Sequence, residues 1–122
     1  MDKSKENEIK ENFFEKLINV YTTYNSSSLE EMLDDDVKFD SMWVFQGIEG
    51  KENYMLSLDS KLRAMESSNK KTNFMIMYNQ NTGCPYLILT PKTPEGDFGC
   101  FAIDINEKGL VQGIHLTAAS FF

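Results

Sequence analysis

The sequence has no glycine-rich phosphate loop, no cluster of metal-ligating side chains and no Gly-x-Ser-x-Gly motif. These absences argue against nucleotide hydrolysis, metal-assisted chemistry and a serine-hydrolase mechanism, so no cofactor and no metal is expected. Its two cysteines, Cys84 and Cys100, are too few and too far apart for a zinc site, and a lone disulfide does not suit a cytosolic protein. Cys100 reads as a small strand residue, and Cys84 as the residue leading into a strand before Pro85. No apolar run is long enough to span a bilayer, and the start, MDKSKENEIKENFF, carries acids where a signal peptide avoids them. The expected location is the cytoplasm. One histidine is present, His115, so any histidine base or histidine metal ligand has to be this residue.

What remains is an acidic chain of ordinary globular composition. Its 122 residues are 41% hydrophobic and 25% charged, which suits one domain around one core. The net charge of −7 is uneven: residues 1–36 hold ten acids and four bases, residues 37–122 nine acids and eight bases. That balance repels phosphate backbones and anionic headgroups, so neither nucleic acid nor a membrane surface is an expected partner. The Lys- and Asn-rich, Arg-poor usage points to a bacterial source.

Hydrophobic periodicity places the elements. After a loose start over residues 1–6, a single domain is expected over 7–122. Ile9, Phe13, Leu17, Tyr21 and Tyr24, widened by Phe14 and Ile18, make the stripe of an amphipathic helix of about four or five turns. Ser28 and Glu31 read as the capping box of a short second helix carrying Leu29, Met32 and Leu33, with Asp34 to Asp36 ending it by opposing its dipole. Val37 to Trp43 reads as a first strand, with Phe39 on one side and Asp40 on the other unless a bulge swaps the later positions. Residues 46–50 read as a loop. A third helix runs from Lys51 to about Met65, its buried face marked by Tyr54, Leu58, Leu62 and Met65. Strands follow over Thr72–Asn79 and Cys84–Pro91.

The closing stretch, Phe98 to Ala119, is the clearest in the chain. Phe101, Ile103 and Ile105 alternate with Cys100, Ala102 and Asp104; Asn106-Glu107-Lys108-Gly109 turns; then Ile114, Leu116 and Ala118 alternate with His115, Thr117 and Ala119. This is a hairpin with Gly109 available for a left-handed turn position and a following bulge. Helices first and strands after give an α+β domain, with three helices packed on one face of a curved antiparallel sheet and a pocket where the sheet bends away from them.

On this order of elements the chain resembles the nuclear-transport-factor-2-like superfamily, with its SnoaL-like and ketosteroid-isomerase-like branches, across about residues 7–119. The matching residues are the long first helix; Leu29-Glu30-Glu31-Met32-Leu33 running into Asp34-Asp35-Asp36-Val37-Lys38-Phe39; Gly47-Ile48-Glu49-Gly50-Lys51; and Phe101-Ala102-Ile103-Asp104-Ile105 with Lys108-Gly109-Leu110-Val111. The resemblance implies a cone-shaped, cystatin-like fold. It also implies that Asp40 stands where the isomerase-like members place the carboxylate that moves a proton next to a carbonyl. Of the oxyanion donors such a reaction needs, the first falls on Lys16 and the second on Phe101, so neither matches, although Tyr21 or Tyr54 could reach the pocket from elsewhere.

The sequence therefore favours a binder of a small apolar ligand. The expected lining is Phe39, Trp43, Phe45, Tyr54, Met55, Phe101, Ile103 and Leu116, rings and methionines that are equally at home in a core. Two alternatives stand beside it: an isomerase or lyase with Asp40 as base, and a protein-docking or dimerisation module without a small ligand. His115 is expected on the outward face, where Asp104 is the nearest acid, which leaves too few ligands for a metal. The small residues around it, Cys100, Ala102, Thr117 and Ala119, suggest a homodimer formed through the outer sheet face.

Overall fold

The computed structural model describes residues 1–41, 47–69, 72–90 and 99–118, except for the side chain of Ala118. Helix α1 spans Lys3–Thr23. It starts earlier than periodicity suggests because Asp2 caps it, its carboxylate accepting the Lys5 N–H at 2.8 Å. Phe13, Phe14, Leu17, Val20 and Tyr21 form its buried stripe.

The second helix is a short 3-10 helix, Ser27–Met32, and the expected capping box does not form. Ser28 lies inside the turn with its buried hydroxyl unpartnered, and Glu31 instead meets Lys16 of α1 at 3.1 Å. The three acids after it are not a helix end either. They belong to strand β1, Leu33–Ser41, which begins where the 3-10 helix stops. An extended backbone suits them because Asp34 is tied at both oxygens: Oδ1 accepts the Asp36 N–H, and Oδ2 accepts Asn106 Nδ2 at 2.7 Å.

Part of the expected loop pairs as a two-residue strand β2, Ile48–Glu49, and α2 follows over Lys51–Ser67 with Tyr54, Leu58, Leu62 and Met65 buried as the spacing predicts. Two polar contacts join the helical layer: Ser26 donates its hydroxyl proton to Asp59 of α2, and Arg63 of α2 donates to the Tyr24 carbonyl at the end of α1. Strands β3 (Asn73–Tyr78), β4 (Pro85–Thr90), β5 (Gly99–Ile105) and β6 (Val111–Ala118) complete the sheet. The last two form the expected hairpin. Gly109 sits at φ 80° and donates to the Asn106 carbonyl, and a register shift follows Asp104.

The sheet order is β2-β1-β6-β5-β4-β3. It is mixed rather than antiparallel throughout, because β1 runs parallel to β6, with Phe39 opposite Ile114, Asp40 opposite His115 and Ser41 opposite Leu116. A parallel pair needs a long crossover, and here α2 and four strands, β2 to β5, supply it. The core lies between α1, α2 and the inner sheet face, where Leu87, Phe101, Ile103, Val111, Ile114 and Leu116 meet the helices. No helix among the described residues is long and apolar enough to cross a membrane.

Candidate functional site

Two sets of side chains stand out, one on each face of the sheet. On the inner face, α2 does not fill the space against β1, β6 and β5. A cavity of about 400 Å³ remains, walled by Phe39, Ile48, Leu58, Phe101 and Leu116 and edged by Tyr21, Ser41, Tyr54, Ser57 and Lys61. Strand alternation and helical spacing explain the set. Phe39 and Ser41 are two apart on β1, while Tyr54, Ser57, Leu58 and Lys61 lie on one helical stripe. A second cavity of about 360 Å³ adjoins it, lined by Ala64, Met65, Ser68, Thr72 and Leu89, and shares Tyr21, Lys61 and Phe101 with the first.

The polar groups here are tuned by burial. Desolvation pushes the Tyr21 phenol up to about 12. Tyr54, almost fully buried and tilted at 40° against Phe39 with 5.5 Å between ring centres, is raised further by desolvation and by neighbouring Tyr21. Both hydroxyls therefore stay protonated and can donate or accept a hydrogen bond inside an apolar wall.

Of the residues expected to line a ligand site, Phe39, Tyr54, Phe101 and Leu116 do line the cavity. Ile103 does not. It is buried two residues along β5, paired with Ile114 in the packed core. Met55 does not either: one position after Tyr54, it is turned about 100° around the helix and faces a separate polar groove with Ser26, Glu30 and Asp59. Trp43 and Phe45 lie outside the described residues. Sequence reasoning missed Ile48, Ser57, Leu58 and Lys61 as lining. The last three share the i, i+3, i+4, i+7 stripe of Tyr54 and could have been read from it.

On the outer face Asp40 and Asp104 hold His115 between them. Asp40 Oδ2 lies 2.7 Å from Nδ1 and Asp104 Oδ2 lies 2.7 Å from Nε2. The Asp104 bond chiefly, opposed by desolvation and reinforced by Asp40, raises the imidazole pKa above its ordinary value. Only the imidazolium can donate to both carboxylates at once. Gly113 makes the room: a Cβ there would meet Asp104 Oδ2 at 2.8 Å and His115 Nε2 at 3.2 Å. Because the carboxylates sit at opposite edges of one ring, they share no point at which a metal could sit. Among the described residues no three His, Cys, Asp or Glu side chains form a metal-holding group.

Asp40 lies on the side of β1 away from Phe39, as alternation predicts, and is not among the residues that line the cavity. Its carboxylate is exposed on the sheet face opposite the cavity and engaged by His115. Alternation along β1 turns Phe39 inward and Asp40 outward, and no bulge reverses the two. Lys16 is also remote from the cavity, paired with Glu31 on the far side of α1. The two tyrosines, Tyr21 and Tyr54, do reach it.

No family model matches the chain, and no curated protein matches it. Solved structures do. A SnoaL-like protein of unknown function from Burkholderia thailandensis superposes with a TM-score of 0.66 at 13% identity, covering 92% of this chain and 95% of that one. An NTF2-like protein of unknown function from Cytophaga hutchinsonii gives 0.58 at 14% identity, over 89% and 88% of the two chains. A steroid delta-isomerase from Pseudomonas aeruginosa gives 0.64 at 13% identity, over 93% and 81%. The chain thus shares the α+β fold of these SnoaL-like, NTF2-like and isomerase structures, in agreement with the order of its sequence elements. At such identities the likeness carries the fold alone.

Proposed function

We propose that this protein binds a small, largely apolar ligand in the cavity between α2 and the inner face of the bent sheet. The observation that carries the reading is the cavity of about 400 Å³ itself, apolar on its walls and edged by two tyrosines that burial keeps neutral. Its volume is of the order that small-molecule sites use, and few convergent polar groups on an apolar wall is their usual make-up. Proton transfer with Asp40 as base is the weaker reading, because a base must come within hydrogen-bond reach of its proton and this carboxylate lies across the sheet from the cavity. We also place a homodimer contact on the outer face. There Met75 and Met77 are 54% and 37% exposed on the same side as Cys100, Ala102 and Thr117; Ala119 lies outside the described residues.

A thermal-shift panel of steroids, polyketide-like aromatics and fatty acids tests the ligand reading. At least one class is expected to raise the melting temperature in proportion to the logarithm of its concentration. A flat response across all three would remove its support.

A further inference from the structure

Nineteen acids give this chain a net charge of −7, and its basic residues commonly stand near one of them: Lys10 pairs with Glu6, Lys16 with Glu31, Arg63 with Glu66. Lys61 is different. Its helical neighbours three and four residues away are Ser57, Leu58, Ala64 and Met65, none of them acidic. No carboxylate among the described residues pairs with it. Its ammonium lies instead 5.5 Å from the centre of the Tyr21 ring, a cation held on a π face.

Lys61 is also the one charged side chain among the described residues that line either inner cavity, and it lines both. The residue as a whole is exposed, yet the apolar surroundings of its head lower the ammonium pKa. A cation at the edge of an apolar wall, held on a ring face and paired with no carboxylate among the described residues, keeps its charge available for an anion that enters the cavity.

The geometry points to a ligand class: an amphipathic organic anion, its apolar body in the cavity beside Phe39 and Leu116 and its single carboxylate, or an equivalent sulfonate, on Lys61 Nζ. This inference rests on the cavity being a binding site and adds the charge of its occupant. The overall negative charge of the protein disfavours anions everywhere else on its surface, so the preference has to be local.

The test uses two fluorescent probes of nearly the same shape, anilinonaphthalene sulfonate, which is anionic, and phenylnaphthylamine, which is neutral, titrated into the wild-type chain, Lys61→Met and Lys61→Arg. Lys61→Met keeps the apolar stem and is expected to weaken the sulfonate probe about tenfold, roughly 1.4 kcal/mol, while changing the neutral probe less than about twofold. Lys61→Arg is expected to retain the sulfonate probe. Equal losses for both probes, or an unchanged sulfonate affinity in Lys61→Met, overturns the inference. Binding of the neutral probe alone to the wild type also overturns it but leaves the cavity reading standing, whereas failure of both probes removes the two together.

Discussion

His115 is the residue at which sequence and structure differ most usefully. Alternation along β6 places it outward and names Asp104 as its nearest acid, and both hold. The second acid, Asp40, could not be assigned to it, because nothing local to residues 33–41 announces that β1 will lie parallel to β6. The clasp has a pH signature. An unfolded imidazole titrates near 6.5 and the folded one above it, so the stabilisation is fully present below pH 6.5 and is lost as pH rises through the folded value. His115→Gln, which keeps a donor but never titrates, is expected to melt below the wild type at pH 5.5 to 6, a range set by that ordinary value. The gap should then close on the alkaline side. A gap that is constant across pH, measured by thermal denaturation, would contradict the clasp. Gly113→Ala should erase the same pH dependence by driving its methyl group into Asp104 Oδ2, even though alanine suits a strand better than glycine does.

At the scale of elements, the long stripes were legible and the junctions were not. The α1 and α2 faces and the β5–β6 hairpin follow from periods of 3.6 and 2, which the core enforces over many residues. The 3-10 segment and the three acids after it hold no such repeat. Their side chains meet partners far along the chain, Lys16 for Glu31 and Asn106 for Asp34, which no local pattern announces. Asn106 carries unusual weight here: its amide nitrogen donates to Asp34, and its oxygen accepts the Lys108 and Leu110 N–H groups at 3.0 Å each. Asn106→Ala is expected to destabilise the fold by about 1–3 kcal/mol, since it leaves several polar groups unpaired. Denaturant titration checks this; a change below about 0.5 kcal/mol would mean the turn holds without its side chain. Leu62→Ala, which empties a fully buried position of α2, is expected to cost about 2–5 kcal/mol by the same measurement.

For the whole molecule, the order of helices and strands was enough to reach the fold, while the site was legible only in part. Phe39, Tyr54, Phe101 and Leu116 could be named as lining because each lies on the inward phase of a clear repeat. Ile103 shares that phase yet packs in the core, since where a layer opens into a cavity depends on how far the sheet departs from the helix above it, and no single strand encodes that. The outer face makes its own prediction: sedimentation at tens of micromolar, an order-of-magnitude concentration suited to weak self-association, is expected to report a dimer, and a monomer there would exclude the sheet-face contact.

The cavity is tested most directly by closing it. Ser57 is an exposed position of α2 on the cavity edge, so Ser57→Trp can block the opening without burying new volume in the core. In a titration with phenylnaphthylamine, the wild type is expected to bind and Ser57→Trp to lose affinity by about tenfold or more, with the unfolding midpoint of the variant unchanged. Equal binding by the two proteins would show that the probe sits elsewhere and that the space beneath α2 is not a ligand site.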